Sequence, residues 1–128
     1  MRVCQRTHQG LVRSSNQDCL LVDGCVYGVA DGMGGHQGGE TASRVAVQVL
    51  KNALRGKLPD RRALEVGVEA ANRRVYDMER HDSSLSGMGT TVTLLWEDGK
   101  RVLVGHVGDS RAYRLRGGEL EQITQDHS

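Results

Sequence analysis

The sequence predicts an α+β domain in which β-strands and α-helices occupy separate blocks of the chain. A hairpin signal lies within residues 19–30, two helical stripes lie between residues 42 and 81, and strand-like runs follow from residue 90. Blocks of strands and helices that do not alternate are typical of α+β layered architectures. The chain has one proline and shows neither repeats nor low-complexity segments, so we expect one continuous domain over residues 1–128.

The first block is predicted to be a β-hairpin. Two apolar runs, residues 19–22 and 26–30, flank the turn dipeptide Asp23-Gly24. A dipeptide of this kind between apolar runs favours a tight hairpin. The second strand then carries Asp31 at its C-terminal end.

Two helices are predicted after the glycine-rich segment that follows this hairpin. Apolar residues recur at helical spacing in two stretches, at Ala42, Ala46, Val49, Leu50 and Ala53, and at Leu64, Val68, Ala71, Val75 and Met78. Gly56 suits the end of the first helix. Pro59-Asp60 suits a restart, and the second helix is expected to run to about His81.

The last block is predicted to contain short strands. After a polar loop over residues 82–87, apolar runs at residues 90–96, 101–106 and 112–115 are typical of strands. A turn at residues 97–100 separates the first two, and Gly117-Gly118 starts a further hairpin.

Composition and charge exclude some classes of partner. The 17 basic and 16 acidic residues leave a net charge of +1, so nothing favours non-specific attraction to nucleic acid or to a membrane surface. No apolar stretch has the length of a signal sequence or a bilayer span, so a cytoplasmic location is expected. Cys4, Cys19 and Cys25 are odd in number and lack metal-site spacing, which favours buried free thiols.

Two aspartates are candidate metal ligands. Asp31-Gly32 follows an apolar strand, where a carboxylate can point into a cleft and the glycine carbonyl can bind the same ion. Asp18 lies on the neighbouring strand, and two adjacent carboxylates repel each other unless a cation neutralises them. An ordinary turn aspartate is the alternative for Asp31 alone, but the pair favours a metal site.

Arg13 and His36 are candidates for contacts with a substrate. Arg13 precedes the hairpin by a few residues, and its planar guanidinium suits a phosphate dianion; a solvated loop arginine is the alternative. His36 is a candidate proton donor or substrate contact, against an equally weighted role as a loop hydrogen-bonding residue. Asn16 and Gln17 are neutral and are expected to orient loops or water.

Three other features of the sequence could indicate a functional site. The glycines from Gly32 onward lack the G-x-G-x-x-G spacing, and no G-K-[ST] follows, so neither nucleotide-binding motif is predicted. Ser110 lacks the G-x-S-x-G context of a serine hydrolase. Asp109 follows the apolar run 102–107 and is a candidate further metal ligand, with a turn-capping role as the alternative.

Five motifs resemble those of the bacterial metal-dependent serine/threonine protein phosphatases, the PPM or protein phosphatase 2C-like family. They are residues 10–18 (GLVRSSNQD), 29–36 (VADGMGGH), 39–43 (GETAS), 88–91 (MGTT) and 106–113 (HVGDSRAY). The resemblance extends to residues 123–128 (ITQDHS). Their order and spacing make the resemblance specific.

The resemblance implies a β-sandwich with helices on its outer faces and a centre of two Mg²⁺ or Mn²⁺ ions at one end. In such enzymes a metal-activated water attacks phosphoserine or phosphothreonine directly. Carried over by motif, Asp31 would bridge the metals, the Gly32 carbonyl would bind one, and Asp18 would hold a metal-bound water. Arg13 would bind the phosphate, and Asp109 would help to bind a third, looser ion.

The resemblance also marks departures from the family pattern. Gln17 stands where many relatives have Glu, and Met33 follows Asp-Gly where animal relatives have His, so no general-acid role transfers to His36 by alignment. The later Ser-Asp-Gly and Asp-Asn motifs are absent, so we expect a domain that is incomplete at its C-terminus. Two hypotheses remain. One is a phosphatase acting on phosphorylated proteins, in opposition to a Hanks-type kinase. The other is a catalytically silent module that binds phosphoproteins.

Overall fold

The computed structural model describes residues 1–35 and 37–127 and confirms the α+β fold class. The described residues form two α-helices, α1 (Gly38–Leu54) and α2 (Arg61–His81), and one turn of 3-10 helix at Ser83–Leu85 in the predicted loop. The strands are β1 (Asp18–Asp23), β2 (Val26–Met33), β3 (Gly89–Thr90), β4 (Val92–Glu97), β5 (Val102–Val107), β6 (Tyr113–Arg116) and β7 (Glu119–Gln122).

A five-stranded antiparallel sheet forms the centre of the fold. Its strands run in the order β1-β2-β4-β5, and the short β3 pairs with β2. The predicted hairpin is confirmed, since Asp23 pairs with Val26 across the tight turn. Strands β6 and β7 form a separate two-stranded sheet.

The hydrophobic core lies between one face of the sheet and the helices. Helix α1 packs on β1 and β2, and α2 packs on α1. Asp60 caps the start of α2, because its carboxylate accepts a hydrogen bond of 2.9 Å from the Ala63 N–H. The core is largely aliphatic, as the composition indicates, with one large aromatic residue; its most buried side chains include Leu21, Leu50, Leu54, Leu94 and Trp96.

The opposite face of the sheet carries exposed apolar side chains. Side chains alternate between the faces of a strand, so Val29 shares its face with Asp31. Val22, Leu95 and Val104 lie on this outer face of the sheet and are 37–39% exposed. The carboxylate site and an apolar surface therefore share one side of the molecule.

The strand predicted over residues 90–96 is divided at Thr91. The Thr91 hydroxyl accepts the hydrogen bond of the Asp31 N–H, which interrupts the regular backbone ladder with β2 at the point where β3 ends and β4 begins. The other predicted strand and helix positions agree with the structure to within a few residues at each end.

The prediction of buried thiols is wrong. Cys4 and Cys25 are exposed and Cys19 is half-buried, although all three are free. Cys25 lies in the hairpin turn and Cys4 lies in an N-terminal segment outside the sheets, so neither side chain reaches the core. Burial raises the pKa of the Cys19 thiol. Within residues 1–35 and 37–127, neither helix has the length and apolar character that crossing a bilayer requires.

Candidate metal and phosphate site

Asp18 and Asp31 lie directly opposite each other on paired strands. They are register partners in the β1–β2 hairpin, and both are exposed. Cross-strand partners in an antiparallel pair project from the same face. The hairpin therefore places two carboxylates side by side at one end of the sheet.

The electrostatics of this pair favour a cation. Partial removal of the Asp31 carboxyl from water raises its pKa, as do the negative charge of Asp18, a hydrogen bond between the two carboxyls, and the charge of Asp109. Arg13 acts in the opposite direction on the same pKa. The two carboxyls face each other as cross-strand partners, and a divalent cation would relieve their repulsion.

Arg13 shares a cleft with the two aspartates. The cleft has a volume of about 200 Å³ and is lined by His8, Gln9, Arg13, Ser15, Asn16, Gln17, Asp18 and Asp31. Gln9 donates a hydrogen bond of 2.8 Å from Nε2 to the Arg13 carbonyl, which braces the loop. A guanidinium and two carboxylates around one cleft suit a phosphate bound beside a metal.

Asn16 and Gln17 organise the loop that leads to Asp18. Asn16 Oδ1 accepts the Asp18 N–H at 3.1 Å, and Asn16 Nδ2 donates to Thr7 Oγ1 at 2.9 Å. Gln17 Nε2 donates to the Gly34 carbonyl at 3.1 Å. Their contacts agree with the loop-orienting role expected from their neutral side chains.

Gly32 brings three backbone segments into close contact. Its N–H donates to the Gln17 carbonyl at 3.0 Å, and a Cβ at this position would collide with the Gly39 carbonyl oxygen in the first turn of α1. Only a residue without a side chain fits here. Gly32 thus holds the start of α1 and the loop before Asp18 beside Asp31.

Asp109 lies in the loop after β5 and is exposed. Its charge reaches Asp31, because it contributes to the raised pKa of that carboxyl. Gly108 has a φ of +108°, which favours glycine. In the part of the chain that the structure describes, no three His, Cys, Asp or Glu side chains form a group that could hold a metal by themselves.

Thr91 is a residue of this site to which the sequence analysis assigned no role. Its Oγ1 accepts the Asp31 N–H at 3.0 Å, its own N–H donates to the Asp31 carbonyl at 2.9 Å, and its Oγ1 lies 3.0 Å from Ser110 Oγ. The only sequence signal was its place in the 88–91 motif. His36, predicted as a proton donor or substrate contact, lies outside the described residues.

The contacts of Ser110 disfavour a serine hydrolase, in agreement with its sequence context. Ser110 Oγ contacts the Thr91 hydroxyl, the Asp126 carboxylate is engaged by Arg111, and His127 Nδ1 accepts a backbone N–H at 3.2 Å. These contacts do not form the serine–histidine–carboxylate chain that activates a nucleophile.

The donor set fits a hard divalent cation. Asp18 and Asp31 supply crowded carboxylate oxygens, and Gly32 lies beside them with a backbone carbonyl. Oxygen ligands of this kind are the ones that Mg²⁺ and Mn²⁺ prefer. The arrangement can therefore bind such an ion in a cleft that Arg13 also lines.

Known proteins resemble this chain along most of its length. A family model described as protein phosphatase 2C matches residues 5–128. The serine/threonine protein phosphatase PstP of Mycobacterium tuberculosis is 40% identical over 130 residues, which cover 98% of this chain and 25% of that protein. The serine/threonine phosphatase stp of Listeria monocytogenes is 33% identical, with coverage of 96% of this chain and 53% of the relative.

Solved structures show the same fold. The catalytic domain of PstP in complex with two manganese ions superposes with a TM-score of 0.87 at 39% identity, over 94% of this chain and 54% of that chain. The phosphatase MsPP of Mycobacterium smegmatis, in complex with cacodylate, gives a TM-score of 0.84 at 39% identity, over 95% of this chain and 52% of that chain. The chain thus spans between a quarter and about half of the length of these relatives.

Proposed function

Because this chain belongs to the protein phosphatase 2C family, we propose that it takes part in metal-dependent hydrolysis of phosphoserine and phosphothreonine in proteins. Residues 1–128 belong, in this proposal, to one PPM-type phosphatase domain. The relatives named above are serine/threonine phosphatases, and one of their structures holds two manganese ions.

The observation that carries the proposal is the pairing of Asp18 with Asp31 beside Arg13. The carboxylates are cross-strand partners and share a cleft with the guanidinium. Negative groups that bind a cation and a positive group that binds a phosphate are both needed to hold a phosphorylated substrate against a metal. This arrangement is independent of the family comparison.

We assign the oxygen ligands of the metal centre to Asp18, Asp31, Gly32 and Asp109. Two Mg²⁺ or Mn²⁺ ions, with a third bound more loosely near Asp109, are the proposed cofactors. When bound, such ions lower the pKa of water and neutralise negative charge that develops on the phosphoryl oxygens. The charges of both Asp18 and Asp109 raise the pKa of the Asp31 carboxyl, which supports a role for all three at one centre.

Arg13 and His36 are assigned to the substrate. Arg13 is proposed to bind the phosphate oxygens with its guanidinium, which also offsets the negative charge of the carboxylates. His36 stays a predicted proton donor or substrate contact. This assignment rests on the chemistry of an imidazole in the glycine-rich segment that follows Asp31.

The proposed partners are phosphorylated proteins, including substrates of a Hanks-type kinase, and the proposed location is the cytoplasm. For residues 1–128, the net charge of +1 and the lack of a long apolar segment are the grounds for proposing no binding to nucleic acid or membranes. The relatives support phosphoprotein substrates through their activity as serine/threonine phosphatases.

A catalytically silent phosphoprotein-binding module is the second candidate. It is favoured by the number of ligands, since the described residues contain no group of three or more His, Cys, Asp or Glu arranged to hold a metal. Arg13 and one weakly held cation would still suffice to bind a phosphate. Both candidates therefore bind phosphoproteins, and they differ in whether the bound phosphate is hydrolysed.

Hydrolysis of a phosphothreonine peptide tests the proposal. Phosphate release would be measured for the full-length protein with Mn²⁺, with Mg²⁺ and with EDTA. Activity that depends on the metal and is lost on Asp31→Asn is expected. This substitution keeps the size of the side chain and removes its charge, so it tests the ligand without removing bulk.

Asp77→Asn provides the matched control, because Asp77 is an exposed carboxylate on α2 away from the cleft. It should leave turnover unchanged. Binding of the phosphopeptide by calorimetry without phosphate release would support the silent module instead. If the protein neither binds nor hydrolyses the phosphopeptide, both candidates are wrong.

A further inference from the structure

We propose that Thr91 is a positioning residue that fixes Asp31 and the loop of residues 108–110 relative to each other. The inference rests on the proposed function, because it concerns the geometry of the proposed metal ligands. Thr91 lies behind Asp31, on the strand segment between β3 and β4, and is 5% exposed. Its side chain acts on the proposed metal ligands through the Asp31 backbone and the Ser110 hydroxyl.

Thr91 holds both backbone polar groups of Asp31. The Asp31 N–H donates to Thr91 Oγ1 at 3.0 Å, and the Thr91 N–H donates to the Asp31 carbonyl at 2.9 Å. In a regular antiparallel ladder a backbone carbonyl would accept the first of these bonds. Here the side-chain hydroxyl accepts it, so the position of Asp31 depends on the identity of residue 91.

The same hydroxyl reaches the loop that carries Asp109. Thr91 Oγ1 lies 3.0 Å from Ser110 Oγ, and one hydroxyl donates to the other. The Thr91 methyl group also packs against this loop. A Cβ at Gly108 would lie 2.6 Å from Thr91 Cγ2, so only glycine allows the loop to approach this closely.

The consequence is a link between two proposed ligands from different strands. Asp31 comes from β2 and Asp109 follows β5, and the strand between them is β4. Thr91 lies immediately before β4 and contacts the neighbours of both carboxylates. Residues that support metal ligands in this way set ligand orientation and so affect metal affinity.

Three variants of the full-length protein test this role. Thr91→Val keeps the shape of the side chain and removes the hydroxyl, whereas Thr91→Ser keeps the hydroxyl. Thr124→Val is the matched control, because Thr124 is also a buried threonine whose Oγ1 accepts a backbone N–H, that of Ala112 at 3.1 Å. Thr124 has no contact with Asp31 or with residues 108–110 among its hydrogen bonds in the described chain.

Two readouts other than turnover are used. Hydrogen exchange of the Asp31 amide in metal-free protein should become faster in Thr91→Val than in the wild type, because the amide loses its acceptor. Mn²⁺ affinity by titration calorimetry should fall by about 10- to 100-fold in Thr91→Val, as substitutions behind metal ligands typically do. Thr91→Ser should restore both, and Thr124→Val should change neither.

The outcomes separate the inference from the proposed function. If the wild type is active and Thr91→Val changes neither the Asp31 amide exchange nor the Mn²⁺ affinity, the role of Thr91 is overturned. The phosphatase proposal would then stay in place. Equal losses of Mn²⁺ affinity in Thr91→Val and Thr124→Val would show a general loss of structure and would also overturn it. A wild type that neither binds Mn²⁺ nor releases phosphate would show that the proposed function is wrong, and the inference would be wrong with it.

Discussion

Arg111 and Asp126 form a bidentate ion pair that joins the segment before β6 to the segment after β7. Arg111 Nη2 donates to Asp126 Oδ2 at 2.7 Å, and Arg111 Nε donates to Asp126 Oδ1 at 3.0 Å. Gln122 Nε2 adds a third donor to the same carboxylate at 3.3 Å. This pair ties the two-stranded sheet to the chain that follows it.

The pair predicts a pH dependence of stability. Hydrogen bonds from Arg111 hold the pKa of Asp126 below its usual range. An unfolded aspartate titrates near about pH 3.9, so this stabilisation is present above that pH and is lost as the pH falls through the lower pKa of the folded state. Asp126→Asn should therefore lower Tm at neutral pH and have a shrinking effect below about pH 4.

Thermal unfolding followed by circular dichroism at a series of pH values would check this. Asp77→Asn, which removes an exposed carboxylate on α2, serves as the control. A gap in Tm between the wild type and Asp126→Asn that persists unchanged in acid would contradict the assignment.

Leu50→Ala should destabilise the core. Leu50 is 0% exposed and belongs to the cluster between α1, α2 and the sheet. Truncation of a buried leucine leaves a cavity and costs about 2–5 kcal/mol in the free energy of unfolding. Leu58→Ala is the control, since Leu58 is 79% exposed. Urea denaturation would compare them, and similar midpoints for the two variants would contradict the packing.

Gly32→Ala should weaken both the fold and the site. The added methyl group would collide with the Gly39 carbonyl oxygen, which belongs to the backbone and cannot rotate away. Over-packing of this kind costs about 1–3 kcal/mol or more. Gly35→Ala is the matched control, because a Cβ there meets no atom within 4 Å. Chemical denaturation measures the difference, and equal stabilities would show that α1 does not pack on β2 this closely.

Asp60→Ala should reduce the stability of α2. The Asp60 carboxylate accepts the Ala63 N–H at 2.9 Å, and loss of such a cap costs about 0.5–2 kcal/mol. Asp60→Asn keeps an acceptor oxygen and should recover most of the loss. Unfolding in urea, monitored by helical circular dichroism, would distinguish the two. A loss as large for asparagine as for alanine would show that the charge, rather than the cap, stabilises the helix.

The sequence predicted the hairpin and, through it, the central pair of the site. The two-residue turn is Gly24-Cys25, one residue later than the predicted Asp23-Gly24, because Asp23 itself pairs with Val26. The register that this turn sets places Asp18 opposite Asp31. Helices α1 and α2 were predictable for a similar reason, since their apolar stripes follow the helical period. Local signals were sufficient for these elements.

Other features depend on contacts between distant parts of the chain. The break at Thr91 arises because a side-chain hydroxyl replaces a backbone acceptor for Asp31, sixty residues away in sequence. Hydrophobic periodicity carries no information about such a competition between side chain and backbone. The exposure of Cys25 was missed because a turn residue next to an apolar strand has the same local sequence context as a buried one.

The pairing of Asp18 with Asp31 also constrains how this protein can change over evolution. Insertion of one residue between Tyr27 and Ala30 would move every later side chain of β2 to the opposite face of the sheet. Asp31 would then point at α1 from the buried position that Gly32 now holds, and Ala30 would occupy the cleft. A change of length in this strand would therefore bury a charge in the core and remove the proposed ligand at the same time. Selection for a folded protein alone would eliminate such variants, which are the same ones that selection for activity would eliminate.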